Sequence, residues 1–355
     1  MYKAISPLSL PRMAIVAASL ITTIISAPAF AAEPYRWGFI DPAGKLAIKP
    51  QFLNTGTFHE GLAAVQITVK DGNDSTSDKW GFIDKTGALV IEAQFDDVQE
   101  FSEGLAAARK DKWGFIDKSG KFVIEPQFED ARRFAEGLAP VATGHLRWGF
   151  VDKTGAFKIE PKFTAVNCFA NNRAAVLISD GFGSYTFRSG TDIYEVRGGQ
   201  WSYIDKSGEI VIDSLFEGAG LFCQDLAPVA VGIKQGMYKP DKWGFINTAG
   251  KLAITPQFNA VHAASEDCAA VQFGVWKNIG KAQRSWIPGK WGYINLKGKR
   301  LIEPQFDGAD RFSEGLASVR LKGKWGYVNK KGETVISPAY TATGEFHEQL
   351  APVIP

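Results

Sequence analysis

Histidine, methionine and cysteine are scarce in this sequence of 355 residues, which contains 4 His, 3 Met and 3 Cys. So few histidines argue against a His-rich metal centre, and we expect neither a metal nor a cofactor. An excess of charge of one sign is also missing, because 40 basic residues stand against 38 acidic ones. Without a basic excess nothing drives binding to a phosphate backbone, so nucleic acid is not an expected partner. Hydrophobic residues make up 45% of the chain, which is too many for a disordered protein.

Long hydrophobic runs are missing as well, apart from one at residues 13–26. This run is shorter than the roughly 18–20 residues that a membrane span needs. It follows Lys3 and Arg12 and precedes an Ala-x-Ala cleavage signature at residues 29–31. We therefore expect a cleaved signal peptide at residues 1–32, with an uncleaved N-terminal anchor as the alternative. Cleavage would leave equal numbers of basic and acidic residues, no membrane span, and a periplasmic or secreted bacterial protein.

The three cysteines are Cys168, Cys223 and Cys268, and their wide spacing fits neither a zinc motif nor a thioredoxin-like motif. In an oxidising compartment, two of them can pair and leave the third over. One disulfide between neighbouring repeats and three small buried thiols both remain open as interpretations.

Glycine and tryptophan are abundant, with 37 Gly and 10 Trp, and one repeated motif explains most of the tryptophans. The motif Trp-Gly-Phe-Ile-Asp, with small variations, occurs eight times. Each copy continues with a turn, a short apolar run, a Pro-Gln-Phe segment and a Phe-x-Glu-Gly-Leu-Ala segment. The copies begin at Trp37, Trp80, Trp113, Trp148, Trp201, Trp243, Trp291 and Trp325.

These residues resemble the WG-repeat family of bacterial proteins, which is named for its Trp-Gly pair. The resemblance covers the chain from Trp37 to Val353 and implies a β-rich repeat domain. It implies no particular activity, because the family has no shared chemistry that can be carried over residue by residue. The fourth to sixth copies depart most from the pattern, and Ser202 replaces the glycine in the fifth.

The pattern predicts an all-β fold of eight three-stranded β-meander units within a single domain at residues 33–355. The strands of a unit are Leu-Ala-x-Val, Trp-Gly-Phe-Ile and an apolar run that proline should end. The Phe-containing connection is a possible short fourth strand. Glycine inside the second strand indicates a close approach, which we expect to be an aromatic ring.

Stacked repeats form either a closed propeller or an open β-solenoid. We favour the propeller-like ring, because the first unit lacks its Leu-Ala-x-Val strand and the last such strand, at 350–353, lacks a partner. Pairing 350–353 with the strand at Trp37 would complete the first unit and leave no open edge.

No catalytic motif is present, and the recurring Asp and Glu residues are expected to serve the turns. His59 and His347 share a Phe-His-Glu context and would be neighbours in a closed ring. A metal or acid–base pair is conceivable there, but exposed structural histidines are the favoured interpretation.

The repeats differ in the length of the hairpin that precedes the Trp-Gly strand, and all long hairpins should emerge on one side. Two of them combine aromatic with polar residues, and they supply the predicted partner-binding residues. These residues are Trp276, Trp286, Lys277 and Arg284 in one hairpin, and Phe182, Tyr185, Phe187 and Tyr194 in the other. Aromatic and arginine side chains concentrate binding energy at interfaces, and aromatic faces also stack on sugars. Burial of these aromatics against each other, or binding of an anionic polymer, are the alternatives.

The sequence thus favours an exported, non-catalytic binding scaffold of the bacterial cell envelope, with a protein or glycan partner. A purely structural repeat protein is the first alternative. An enzyme that acts on envelope polymers through carboxylates is the second, but no carboxylate pair breaks the repeat pattern.

Overall fold

The computed structural model describes residues 35–71, 75–144, 147–178, 200–231, 242–278, 284–287 and 289–355. These residues belong to one compact unit that runs from Tyr35 to Pro355. Within these ranges the chain forms 34 β-strands and no helix, so it has there no helix that could cross a bilayer. The predicted signal peptide at residues 1–32 lies outside the described residues and stays a prediction.

The strands group into eight sheets of four, which we number as blades 1 to 8, and one separate hairpin. In chain order the strands are β1 (Trp37–Ile40) and β2 (Leu46–Phe52); β3 (Asn54–Thr55), β4 (Ala63–Asp71), β5 (Ser75–Ile83) and β6 (Leu89–Phe95) of blade 1; β7 (Asp97–Val98), β8 (Ala106–Lys110), β9 (Lys112–Ile116) and β10 (Phe122–Phe128) of blade 2; β11 (Asp130–Ala131), β12 (Ala139–Ala142), β13 (Trp148–Val151) and β14 (Phe157–Phe163) of blade 3; β15 (Ala165–Val166), β16 (Ala174–Ile178), β17 (Gln200–Ile204) and β18 (Ile210–Phe216) of blade 4; β19 (Gly218–Ala219), β20 (Leu226–Val231), β21 (Lys242–Asn247) and β22 (Leu252–Phe258) of blade 5; β23 (Ala260–Val261), β24 (Cys268–Gln272), β27 (Trp291–Asn295) and β28 (Arg300–Phe306) of blade 6, with the hairpin β25 (Val275–Asn278) and β26 (Arg284–Ile287); β29 (Gly308–Ser313), β30 (Leu316–Leu321), β31 (Lys324–Asn329) and β32 (Thr334–Tyr340) of blade 7; and β33 (Ala342–Thr343) and β34 (Ala351–Ile354). Blade 8 combines β33 and β34 with β1 and β2.

Each blade is a four-stranded antiparallel sheet, so the prediction of three-stranded units was wrong. The additional strand is short and comes from the Phe-containing connection: in blade 2, for example, Asp97 and Val98 pair with Arg109 and Ala108. This strand is the inner edge of the blade. At the outer edge, the fourth strand alternates exposed and buried residues, as expected for an edge strand with one covered face.

The ring closes through pairing of the last strand with the first, as the sequence predicted. In blade 8, Gly38 lies opposite Val353 and Ile40 lies opposite Ala351. Eight blades and this closure define a β-propeller and not an open solenoid. Closure removes the two free edges that the terminal units of a solenoid would present.

The glycine of the Trp-Gly pair is required by backbone and not by an aromatic ring. A β-bulge separates the pairs Trp113–Phe128 and Phe115–Ile124, so extra residues of β10 lie against Gly114. A Cβ atom on Gly114 would come within 2.4 Å of the Ile124 carbonyl oxygen and 2.8 Å of the Pro126 nitrogen. The proline does not end the strand, contrary to expectation, because a bulge on an edge strand tolerates a missing donor.

Inserted aromatic rings join one blade to the next at seven of the eight junctions, and at the junction of blades 5 and 6 Ala264 occupies the position of the inserted phenylalanine. The phenylalanine of a Phe-x-Glu-Gly segment inserts against the Trp-Gly strand of the preceding blade; the rings of Phe134 and Phe115, for example, lie 4.8 Å apart. The same contact crosses the closing junction, where Phe58 of blade 1 lies 5.0 Å from Phe39 of blade 8. All four rings are fully buried. The core is therefore distributed around the ring at the blade junctions.

Polar side chains also join the blades, through the corner that follows each of these phenylalanines. Glu103 adopts a positive φ of 56° in its corner, and its carboxylate accepts a hydrogen bond from the backbone N–H of Gly137 in the next blade. We call this contact the corner clasp. A polar side chain at the same repeat position makes a contact across every one of the eight junctions. At seven of them it accepts a backbone N–H, whereas the side-chain amide of Asn171 donates to the Asp225 carboxylate. The contacts are Glu60–Gly104, Glu103–Gly137, Glu136–Asn172, Asn171–Asp225, Gln224–Asp267, Glu266–Gly315, Glu314–Gln349 and Glu348–Gly61.

A lysine reinforces the clasp at five junctions, and it comes from the Asp-Lys turn of the blade that supplies the amide. The ion pairs are Lys118–Glu60, Lys153–Glu103, Lys206–Glu136, Lys330–Glu266 and Lys85–Glu348. The turn aspartates serve the turns, as expected: Asp117 accepts hydrogen bonds from the backbone N–H groups of Ser119 and Lys121. The recurring glutamates therefore hold blades together, which is more than the turn role expected for them.

Candidate functional site

The long hairpins leave the ring on one face, which we call the hairpin face. Each connects the Leu-Ala strand to the Trp-Gly strand, so all of them project from the same end of their blades. In blade 1 the hairpin continues the strands as far as the pair Asp71–Ser75. In blades 2 and 7, by contrast, the strands turn directly after the pairs Lys110–Lys112 and Leu321–Lys324. The corner clasps lie at the opposite face.

Blade 6 carries the most elaborate hairpin that the structure describes. Strands β25 and β26 form a separate two-stranded ribbon between β24 and β27. In this ribbon Trp276 lies opposite Trp286, and Asn278 lies opposite Arg284. Directly opposed residues of an antiparallel pair belong to the same face of the ribbon. The structure thus brings together the two tryptophans that stand outside the repeat motif, with Lys277 and Arg284 in the same ribbon.

The second predicted group of binding residues, Phe182, Tyr185, Phe187 and Tyr194, lies outside the described residues. The role of these aromatic residues stays a prediction.

A groove of about 420 Å³ lies at the base of the blade 6 hairpin, where blade 6 meets blade 7. Its lining is polar, and no sequence motif pointed to it. Lys290 forms an ion pair with Asp307, and the same carboxylate accepts a hydrogen bond of 2.9 Å from the backbone N–H of Lys322. The Lys290 hydrogen bond leads the causes that hold the pKa of Asp307 below its usual value, so this acid is ionised at neutral pH. The groove is lined by Gln272, Gly289, Lys290, Asp307, Arg320 and Gly323.

Charged side chains line part of the inner rim of the ring, and we call this set the charged belt. It consists of Arg311, Glu345, His347, His59, Glu100 and Arg133, which come from blades 7, 8, 1, 2 and 3. The inner positions of blades 4, 5 and 6 hold Cys168, Leu221 and Ala263 instead, so one side of the rim is charged and the other is not. Sequence analysis identified His59 and His347 as neighbours but missed the other four belt residues, because they occupy a position that varies from blade to blade.

The belt is internally paired at both ends. Arg311 contacts Glu345 through two hydrogen bonds of 3.1 and 3.2 Å, and Arg133 contacts Glu100 at 2.7 Å. Burial alone would raise the pKa of Glu345, but the neighbouring His347 and Arg311 outweigh it and lower that pKa to about 2. The belt is therefore a set of compensated charges.

His59 and His347 meet at the centre of the belt, as the closed ring implies, with ring centroids 4.5 Å apart. The Nε2 atom of His59 lies 3.0 Å from the Thr57 hydroxyl, and that of His347 lies 3.6 Å from the Glu345 carboxylate. Within the described ranges, no group of three or more His, Cys, Asp or Glu side chains is arranged to hold a metal ion. Both histidines are partly buried, not exposed.

The three cysteines lie in the corners of different blades. Cys168 and Cys268 are buried, and Cys223 is partly buried. Burial raises the pKa of the Cys268 thiol to about 11, so it is protonated at neutral pH. The proposed disulfide stays a prediction.

Cys268 also marks a packing defect. It replaces the leucine that follows the Glu-Gly corner in most copies, such as Leu226 in blade 5. A cavity of about 170 Å³ lies beside it, lined by Cys268, Tyr293, Ile302, Phe312 and four further residues.

The fold and its repeated Trp-Gly strand define an eight-bladed repeat propeller. The chain belongs to the WG containing repeat family, whose model matches residues 37–68, 80–112, 113–144, 148–181, 201–232, 243–274, 291–325 and 325–354. A comparison with curated protein sequences finds no match.

Solved structures with a similar arrangement are distant in sequence. BamB from Moraxella catarrhalis is 12% identical with a TM-score of 0.44, over 84% of this chain and 90% of that one. The β-propeller domain of the Trilobed protease from Pyrococcus furiosus is 8% identical with a TM-score of 0.44, over 80% and 95%. Apo AztD from Citrobacter koseri is 13% identical with a TM-score of 0.41, over 84% and 93%.

Proposed function

We propose that this propeller is an exported, non-catalytic binding scaffold of the bacterial cell envelope. Its hairpin face contacts a protein or a glycan, and the ring holds the hairpins in place. The observation that carries this proposal is the β25–β26 ribbon, which sets Trp276 opposite Trp286 beyond the edge of the blade. Tryptophan is enriched among the residues that dominate the energy of binding interfaces.

The rest of the ring supports a rigid platform. Polar corner contacts join every blade to its neighbour and aromatic insertions do so at seven of the eight junctions, so the hairpins project from a body with no free edge. The signal-like segment at residues 1–32 supports export to the periplasm or beyond. The scaffold is proposed to act without cofactor or catalysis.

Affinity capture from a solubilised envelope fraction tests the proposal. The full chain is compared with a Trp276→Ala/Trp286→Ala variant and with a control whose polar blade 1 hairpin is shortened around residues 72–74. We expect the double variant to lose its captured partner while its melting temperature stays unchanged, and the control to retain the partner. Unchanged capture together with a lowered melting temperature would show that the tryptophans serve packing. No capture by any form would favour a purely structural repeat protein.

A further inference from the structure

We infer that the cavity beside Cys268, where blade 6 meets blade 7, is a binding site for a small apolar molecule no larger than benzene. The cavity has a volume of about 170 Å³, and its lining includes Glu266 of a corner clasp. It therefore lies away from the hairpin face, and this inference goes beyond the proposed function and does not depend on it.

The repeat shows which group normally occupies this place. In blade 2, Leu105 packs in one buried cluster with Phe115 and Ile124 of its own blade and with Phe134 of the next blade. Leucine holds the same repeat position in most copies of the motif. The leucines are Leu62, Leu105, Leu138, Leu226, Leu316 and Leu350. An isobutyl group between these rings is thus the ordinary filling of a blade junction.

Blade 6 keeps the environment and lacks the leucine. Tyr293, Ile302 and Phe312 occupy the positions of the three neighbours of the blade 2 leucine, and they form one buried cluster with Cys268. All four residues line the cavity. Because cysteine is shorter than leucine and unbranched, the surrounding side chains lose packing partners on one side. A guest that restores these contacts gains the dispersion energy that the leucine supplies elsewhere.

The polar groups inside the cavity already have partners. The Tyr293 hydroxyl donates a hydrogen bond of 2.9 Å to the Asp310 carbonyl, and the Cys268 thiol lies 3.4 Å from the Ser265 carbonyl, to which it donates. Burial raises the pKa of this thiol to about 11, so it carries no charge at neutral pH. A trapped water needs two to four polar partners, and this lining offers it few. The interior therefore favours an apolar guest over water.

The charged groups stand at the mouth of the cavity and do not select a charged ligand. Glu266 is held in its corner clasp and forms an ion pair of 3.2 Å with Lys330, which is exposed. Asp267 is also exposed, and its carboxylate accepts a hydrogen bond from Gln224. Leu301, with half of its surface exposed, completes the apolar side of the mouth. A guest can therefore enter from solvent without unfolding of the blade.

The volume limits the size of the guest. An engineered protein cavity of about 150 Å³ that is lined by Leu, Ile and Phe stays dry and binds benzene or xenon. The cavity beside Cys268 is of similar volume and has a similar lining. Benzene and xenon are thus the appropriate probes for this site.

Thermal melting of the full chain with and without benzene tests the inference. We expect benzene to raise the melting temperature of the natural chain by about 2 °C, because it binds only the folded state. Cys268→Leu should melt higher on its own and gain nothing further from benzene, since leucine fills the space. Cys223→Ala, which removes a thiol in blade 5, is the matched control and should keep the benzene effect.

Xenon locates the guest directly and does not depend on any variant. Crystals of the natural chain under xenon pressure should show a xenon peak between Cys268 and Phe312. The inference would be overturned by a cavity without xenon, by ordered waters that remain there under xenon pressure, or by an equal effect of benzene on Cys268→Leu and the natural chain.

Discussion

The imidazole rings of His59 and His347 lie 4.5 Å apart, and they meet across the junction between blade 1 and blade 8. Blade 8 is the blade that is completed by both ends of the repeat array. Glu345 and Arg311 flank the pair on one side, and Glu100 and Arg133 flank it on the other. Because two imidazolium ions at this distance would repel each other, the junction is sensitive to protonation.

Acidification should therefore weaken the fold in a defined pH window. Burial is the largest cause that lowers the pKa of His59 below 6.5, and His347 and Arg133 add to it against Glu100 and Glu348. The neutral ring is thus preferred in the folded state. Stability is complete above pH 6.5 and declines as the pH falls from 6.5 towards the lower pKa of the folded protein, because only the unfolded chain takes up the proton.

Urea denaturation at a series of pH values measures this effect. The His59→Gln variant should show a flatter decline of the free energy of unfolding below pH 6.5 than the natural chain does. A second decline belongs to Glu345, which loses its contribution as the pH falls from 4.5 towards about 2. Identical slopes for His59→Gln and the natural chain as the pH falls from 6.5 towards 4.5 would show that His59 does not titrate with folding.

Replacement of the motif glycine should be severe. In Gly114→Ala the new Cβ would lie 2.4 Å from the carbonyl oxygen of Ile124, a contact that only a backbone shift can relieve. We expect a loss of about 3 kcal/mol in the free energy of unfolding. Gly144→Ala is the matched control, because nothing lies within 4 Å of that position, and it should change stability by less than about 0.5 kcal/mol.

Blade 4 shows that the bulge can form without the motif glycine. There Ser202 replaces the glycine and is buried, and the partner strand has Ser214 where most blades have proline. The register still skips between Trp201 and Tyr203, so the bulge itself persists. An unchanged melting temperature for Gly114→Ala would contradict this prediction. It would mean that the bulge of blade 2 accommodates a side chain, as the bulge of blade 4 does at Ser202.

The corner clasps should contribute measurably to stability. Glu103 accepts the N–H of Gly137 and pairs with Lys153, and its side chain is 29% exposed. Glu103→Ala should lower the free energy of unfolding by about 1 kcal/mol, and Lys153→Ala by less than about 0.5 kcal/mol, since solvent screens the ion pair. Glu125→Ala in the exposed outer strand of the same blade should have no effect. A loss for Lys153→Ala as large as that for Glu103→Ala would assign the energy to the ion pair instead of the amide.

Restoring leucine beside the blade 6 cavity should stabilise the protein. Cys268→Leu extends an apolar side chain at the edge of a cavity of about 170 Å³. We expect a gain of about 1 kcal/mol and a higher melting temperature. The reverse change, Leu226→Cys at the same position of blade 5, should cost a similar amount. Destabilisation by both substitutions would mean that the cavity cannot accept the longer side chain.

The sequence predicted the ring and its closure because the motif repeats eight times and the first and last units are each incomplete. Eight Trp-Gly motifs fixed the units, and the unpaired segment at 350–353 indicated the partner of β1. The short inner strands were predicted only as a possible fourth strand of each unit, since two residues such as Asp97 and Val98 carry no alternation that could mark a strand. Propensity cannot reveal a strand of that length, because its pairing is imposed by the neighbouring strand.

The site was only partly predictable for a different reason. Trp276 and Trp286 stood out because they break the repeat, and the ribbon sets them opposite each other. The clasp of Glu103 did not stand out, because its partner is the backbone N–H of Gly137, and no side-chain pattern records a backbone donor.

Closure by the first and last strands has a consequence for how the protein is made. Strand β34 is synthesised after all the other described strands, and until then β1 and β2 can pair only with each other. A two-stranded hairpin alone is marginal in water, so blade 8 can form only when synthesis has reached β34. A chain that is truncated in its final repeat would keep two unpaired strand edges, which invite aggregation and degradation. A chain that lacks β34 therefore cannot complete blade 8 and cannot close the ring.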